Sequence, residues 1–248
     1  MKIAVFYYTQ SGQALEIAQN LTEPMEQIKS CTIVYKEIKP VHEFHYPWSR
    51  REFFDVFPES RLGLPPFGIE KIDLSDVDDA SIVIIVGQSW FLSPSLPLQS
   101  FLEDHEVRSF MRGRKVVFVN GCRNMWLKTM YKVKKSLNNM GAELVGHIVM
   151  QDQKPNLVSV LTIIRWLFYG KKEKAWMLPR AGVSPEDLAK AKDFGKIIVA
   201  AATANDYTQL QEKLLHAGAI NYKPSMLFLE RAGHRMFGLW ARFIRKKR

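Results

Sequence analysis

The chain of 248 residues is 47% hydrophobic and 12% aromatic, enough to bury the core of one domain with additions or of two small ones, which excludes global disorder. Two cysteines, Cys31 and Cys122, cannot build a disulfide framework, so a reduced, cytoplasmic compartment is expected. The net charge of +10 favours anionic partners: nucleic acid, anionic lipid or an acidic carrier protein.

An apolar run over 3–8 (IAVFYY) predicts the first strand. It is cut by Thr9-Gln10-Ser11 and is too short for the centre of a signal peptide, so none is expected. Helical periodicity starts at once with Gln13, Leu15, Ile17 and Ala18 and predicts a helix over 13–28. Residues 31–38 alternate as a second strand. Residues 81–87 (SIVIIVG) and 115–121 (KVVFVNG) are continuous apolar runs, as strands covered on both faces require, and 143–150 predicts a fifth strand. Helical patterns fall between them over 98–107 and 125–140. Strand and helix alternate throughout, which predicts an α/β protein with a doubly wound parallel sheet in the order 2-1-3-4-5 and a ligand at its switch point.

Two segments exceed that plan. Residues 40–71 are crowded with aromatics, and Ser49 to Glu52 within them has capping-box spacing, so a short helix is expected to run to Pro58. Residues 154–180 hold the longest apolar stretch (LVSVLTIIRWLFY), which carries Arg165 and falls short of the roughly 20 residues of a membrane span. Ser184-Pro185-Glu186-Asp187 opens a helix expected to close the main domain near residue 205. The remainder, 206–248, reads as a helical extension: a helix over about 207–216, then a basic amphipathic one. In the latter, Leu229, Ala232, Met236, Trp240, Phe243 and Ile244 form a stripe among Arg231, Arg235, Arg242 and Arg245. It either lies on an anionic membrane surface, peripheral at the inner membrane, or packs on its own domain. Basic residues also gather over 128–135 and 171–174, but no zinc-finger spacing or RNA-binding aromatic motif accompanies them, so nucleic acid is not expected.

The turn Thr9-Gln10-Ser11-Gly12-Gln13-Ala14 joins a strand to a helix N-terminus, where backbone N–H groups, hydroxyls and the helix dipole converge on an anion. It resembles the phosphate loop of the flavodoxin family and its related quinone reductases, Thr/Ser-x-Thr/Ser-Gly-x-Thr, which binds the phosphate of FMN. Thr9, Ser11 and Gly12 fit. Ala14 lacks the last hydroxyl and would cost the phosphate one contact. The stretch GQSWFLSPSLPLQSFLE (87–103) resembles the post-strand loop of the same reductases, and the resemblance sets Gln88, Ser89, Trp90 and Phe91 along the isoalloxazine; the alternative is that Trp90 and Phe91 cap the core. The loop Gly121-Cys122-Arg123-Asn124-Met125-Trp126 ends the fourth long strand and should face the same crevice. Arg123 would stabilise negative charge on the ring or bind an anionic substrate, and Asn124 would hydrogen-bond the ring. Cys122 reads as a packing residue. His45, with His42 and Tyr46 near it, and Asp152 are acid–base candidates. No metal-ligand spacing is present.

Three longer stretches carry a closer resemblance: FFDVFPES (53–60), SWFLSPSLP (89–97) with GCRNMW (121–126), and KPNLVSVLTIIRWLFYGKKE (154–173). Over essentially its whole length the chain resembles bacterial proteins labelled dialkylresorcinol condensing enzyme. Claisen-type condensation uses a nucleophilic Cys and two His in a larger fold, which this chain lacks. The resemblance instead implies the following step, an FMN-dependent aromatase (a dehydrogenase) that oxidises an apolar cyclic diketone to a dialkylresorcinol. A separate ketosynthase and an acyl carrier would deliver the ring. An NAD(P)H-dependent quinone or flavin reductase and a flavodoxin-type electron carrier stay open as alternatives. So does a homodimer, the state common among flavodoxin-like reductases.

Overall fold

The computed structural model describes residues 1–64, 67–222 and 224–247. Five parallel strands form the sheet: β1 (Lys2–Tyr7), β2 (Thr32–Glu37), β3 (Ile82–Trp90), β5 (Lys115–Cys122) and β6 (Glu143–Gln151). They lie in the order β2-β1-β3-β5-β6, and a two-residue strand, β4 (Ser93–Pro94), pairs antiparallel with the end of β3. Apart from β4, this is the flavodoxin-like doubly wound order. The helices are α1 (Gln13–Glu26), α2 (Arg50–Asp55), α3 (Phe57–Leu62), α4 (Leu96–Glu103), α5 (His105–Met111), α6 (Leu127–Asn139), α7 (Asn156–Tyr169), α8 (Pro185–Ala204), α9 (Leu210–His216) and α10 (Pro224–Lys247).

The strands are apolar at successive positions because both faces are covered. Ile3 and Val5 of β1 join Ile84, Val117 and Ile148 in one core closed by α1 and α8. Ala4 and Phe6 join Ile85 and Phe118 in a second, closed by α4, α5 and α6. On the first side α1 and α8 approach so closely that a Cβ built on Gly195 would stand 1.9 Å from the Leu21 carbonyl oxygen. Only glycine permits that crossing.

The helix expected over 98–107 is two helices. Asp104 leaves helical geometry (φ −62°, ψ 136°) and its carboxylate accepts the Val107 N–H, so it ends α4 and caps α5 at once. In the aromatic insertion the capping box forms, with Ser49 Oγ accepting the Glu52 N–H at 3.1 Å and Glu52 accepting the Ser49 N–H at 3.0 Å. Ser184 likewise accepts the Asp187 N–H at the start of α8. The segment after α8 is bound to the sheet and to the insertion: Val149 N–H donates to the Ala219 carbonyl, His147 N–H to Gln211 Oε1, and α10 packs on α3 through Phe57 and Phe237.

Candidate functional site

The parallel strands deliver the loops after β1, β3, β5 and β6 to one edge of the sheet, and there they enclose a cavity of about 760 Å³. Gln10, Ser11, Gln13 and Ala14 wall it at the β1–α1 turn, Gln88 to Leu92 at the β3–β4 hairpin, and Gly121 to Met125 after β5. Asp152 closes the β6 side. Ile163, Trp166 and Leu167 of α7 and Leu229, Met236 and Phe237 of α10 complete an apolar roof.

The β1–α1 turn is built to receive something. Gly12 sits at φ 84° as the N-cap of α1 and supplies no side-chain cap, so the first-turn N–H groups of a fourteen-residue helix stay open. Thr9 Oγ1 and Gln13 Nε2 are buried and have no partner among the described residues; nor do Gln88 Nε2 and Asn124 Oδ1 farther along the wall. A buried polar atom without a partner costs roughly 1–3 kcal/mol, so those of Gln13, Gln88 and Asn124, three residues that line one cavity, mark where a polar ligand would bond. Gly182, at φ 79°, completes the wall: a Cβ there would come within 2.5 Å of Gln13 Nε2.

Gln10 has a different task. Its Oε1 accepts the Trp48 indole N–H at 2.9 Å and its amide donates to the Phe44 and His45 carbonyls. The side chain latches the aromatic insertion to the turn and leaves only its main chain for a ligand.

At the β3–β4 hairpin the two-residue loop is Phe91-Leu92, with φ 49° and 62°. Two consecutive left-handed positions are the pattern of a type I′ turn, which usually recruits Asn-Gly, and bulky residues there are strained. Packing holds them: the Phe91 ring lies 4.9 Å from those of Phe53 and Phe57, and Leu92 is buried. Trp90 is locked in edge contacts with Tyr8, Phe44 and Trp48. The Trp90 and Phe91 rings tie the insertion to the sheet and also line the cavity. Ser89 Oγ lies 2.8 Å from Thr129 Oγ1 and 3.1 Å from Asn120 Oδ1, turned into the protein.

After β5, Arg123 Nη1 donates to Asn156 Oδ1 at 2.5 Å, and Asn124 Nδ2 donates to the same oxygen at 2.8 Å. Burial lowers the Arg123 pKa, and the neighbouring Asp152 carboxylate counters that. Asp152 is itself buried, accepting from the Lys154 backbone N–H and Nζ on one oxygen and from Ser159 Oγ on the other. Burial, with Glu230 adding to it, pushes the Cys122 thiol far up, so it is protonated at neutral pH and no nucleophile.

Four expected site residues are absent from the cavity wall: Thr9 and Gly12 belong to the β1–α1 turn without lining it, and His45 and Trp126 stand elsewhere. The His45 ring is on the surface, paired through Nδ1 with Glu52 at 3.0 Å, and is absent from the cavity wall. Trp126 is buried against His147 and borders a separate cavity of about 190 Å³ with Asn124, Asp152 and Glu230. Both departures have the same cause: the loops turn after the motif, and spacing alone does not fix which way. The sequence reading also missed Lys154 and Ser159, which hold Asp152, and Glu230, whose carboxylate accepts the Leu127 and Lys128 N–H groups at the start of α6. Glu230 had left a signal as the one acid in 224–247.

No protein-family model and no curated protein matches the chain. Solved structures similar to it include a flavodoxin from the domain Archaea (14% identity, 82% of this chain and 99% of that one, TM-score 0.47). A flavoprotein in complex with FMN from Lactobacillus acidophilus matches at 19% identity (60% and 92%, TM-score 0.43), and Megasphaera elsdenii flavodoxin at 12% (62% and 89%, TM-score 0.41).

Proposed function

We propose that the chain is an FMN-dependent oxidoreductase and, more narrowly, an aromatase that oxidises a dialkyl cyclohexanedione to a dialkylresorcinol. The observation that carries the reading is a single cavity, open on one wall to a helix N-terminus with the buried, unpartnered Gln13 Nε2, and apolar on the opposite wall. The donor set fits FMN. Open N–H groups of α1, with Thr9 and Ser11, would hold its phosphate, and Gln88 and Asn124 its polar ring edges, without the hydroxyl that Ala14 lacks. When bound, the cofactor would supply a two-electron acceptor for hydride. At about 760 Å³ the cavity lies in the upper part of the roughly 300–1,000 Å³ range of small-molecule sites, which leaves room for an apolar substrate beside a ring.

The chain's own residues would then act on the substrate. Arg123 lies in the wall with a guanidinium oriented by Asn156, positioned to favour the enolate of a 1,3-dione over its neutral form. Asp152, held by Lys154 and Ser159, offsets part of the cost of burying that guanidinium. The apolar faces of α7 and α10 would receive the alkyl arms and exclude water. The same roof counts against a simple electron carrier, which needs an exposed ring edge.

The test starts with colour. Purified protein should be yellow or take up added FMN, and a colourless protein that binds none refutes the central claim. Mixed anaerobically with a 2,5-dialkylcyclohexane-1,3-dione, the loaded protein should bleach and yield the resorcinol. If it stays yellow with the dione but bleaches with NADPH, it is a reductase instead.

A further inference from the structure

We infer that the mouth of the cavity docks on an anionic membrane surface, through an apolar collar made by α7 and α10. The docking does not depend on which reaction the cavity hosts.

Helix α7 carries apolar side chains on its outward face as well as on the face toward the cavity. It buries Ser159, Thr162 and Trp166 toward the protein and turns Leu157 (73% exposed), Leu161 and Ile164 to the outside. Beyond α7, Ala175 and Leu178 close a tight hydrogen-bonded turn that presents Trp176, 90% exposed, and Met177 at its tip, with exposed Lys171 and Lys174 nearby in sequence.

Helix α10 divides its circumference into three arcs at about 100° per residue. Glu230, Phe237 and Ala241 face the protein. Phe228, Ala232, Met236 and Leu239 form an exposed apolar arc. Arg231, Arg235, Arg242 and Arg245 form a basic arc beside it, and the helix's one acid, Glu230, is on the buried face. Met236 and Ala232 also line the cavity, so the exposed apolar arc begins at its mouth, as the outward row of α7 lies next to the lining row of Ile163 and Leu167.

Charge decides the occupant. An apolar arc flanked by arginines suits anionic headgroups over acyl chains. A second copy of a chain with a net charge of +10 would bring like basic arcs together. No helix among the described residues is long and apolar enough to cross a membrane, so the collar would lie on the bilayer. That an apolar dione enters the mouth from the acyl layer rests on the function proposed above.

The experiment floats the full-length protein with vesicles of phosphatidylcholine, with or without roughly one quarter phosphatidylglycerol, and follows tryptophan emission. The protein should float with the anionic vesicles, shift its emission to the blue, and largely remain behind with phosphatidylcholine alone. Each Lys or Arg near an anionic surface contributes about fivefold to partitioning, so Arg231→Gln with Arg235→Gln should weaken it roughly 25-fold, and the double Glu variant further. Leu161→Glu and Leu239→Glu should each weaken it with the thermal midpoint and any flavin content unchanged, because both side chains are exposed. Failure of the native protein to float overturns the inference. So does flotation indifferent to Leu161→Glu and Leu239→Glu, which would be adsorption by charge alone, or a dimer that buries these faces and ignores vesicles.

Discussion

Replacing Glu230 by Ala should loosen α10 from the body, because one carboxylate joins two helices about a hundred residues apart. Glu230 is 2% exposed, and it accepts the Lys128 N–H at 2.6 Å and the Leu127 N–H at 3.2 Å. The N-cap of α6 is Trp126, which offers no side-chain cap, so Glu230 is the acidic cap that the local sequence does not provide. A lost cap costs about 1 kcal/mol, and a hydrogen bond to a charged group about 1.5–3. The favourable meeting of a carboxylate with a helix N-terminus adds up to about 2 in partly buried geometry. These overlap, and about 3 kcal/mol is the expected cost, a fall of roughly 6–12 °C in the thermal midpoint for a chain of this size. Glu230→Gln keeps an acceptor but loses the charge, and should cost about half. Urea unfolding gives the free energy, and limited proteolysis shows whether 224–247 is cut first. If Glu230→Ala unfolds at the native midpoint and α10 resists protease as before, the helix is held by apolar packing alone and the reasoning fails.

The Gly195→Ala variant should be destabilised by at least about 1–3 kcal/mol despite alanine's higher helix propensity, because its Cβ meets the Leu21 carbonyl at 1.9 Å; urea unfolding would show it, and a stabilised variant would mean α1 and α8 can separate freely. Restoring a hydroxyl with Ala14→Ser should tighten FMN binding about tenfold in a fluorescence titration, the worth of one hydrogen bond to a charged group. Unchanged affinity would place the phosphate elsewhere. Acid should destabilise the fold below neutrality. Burial among Phe118 and Trp126 lowers the His147 pKa to about 4, so the unfolded chain takes up a proton near pH 6.5 that the folded one refuses. Stability present above pH 6.5 is then lost as pH falls to about 4, by roughly 3 kcal/mol at most. His147→Phe should flatten much of that slope in urea titrations at several pH values, His234 supplying part of the remainder because burial and nearby cations lower it too. An unchanged slope refutes the assignment.

The sheet was legible because its strands satisfy both faces at once, and runs such as residues 81–87 have no other stable use. Its order followed from alternation with helices. The turn at Gly12 was legible for a local reason, a glycine between a strand and a helix. What stayed hidden depends on partners distant in sequence. Asp104 reads as one more polar residue in a helical pattern until its carboxylate is seen to cap α5. Residues 157–169 read as an apolar stretch, and nothing in them tells that Ser159 faces inward, because its reason is Asp152. His45 had the chemistry of a base, but the nearby capping-box Glu52 takes its ring to the surface.

The Phe91-Leu92 turn shows how the parts depend on one another. A sequence reader expects Asn-Gly where a hairpin needs two left-handed residues, and two bulky apolar side chains there look like the interior of an element. They hold the conformation because α2 and α3 of the insertion supply Phe53 and Phe57 around the Phe91 ring, and Phe57 in turn meets Phe237 of α10. Gly233 of α10 closes the other side, where a Cβ would stand 3.3 Å from Leu92. The insertion, the hairpin and the last helix are therefore one packed shell over the β3 end of the sheet. Backbone strain of this kind persists only where surrounding structure over-determines it, and it gathers at functional sites. A minimal doubly wound domain would leave that end of the sheet open to water. In this chain the additions to the domain cover it with an apolar wall, and under the proposed function that wall would make the cavity a substrate chamber in place of an exposed electron-transfer edge.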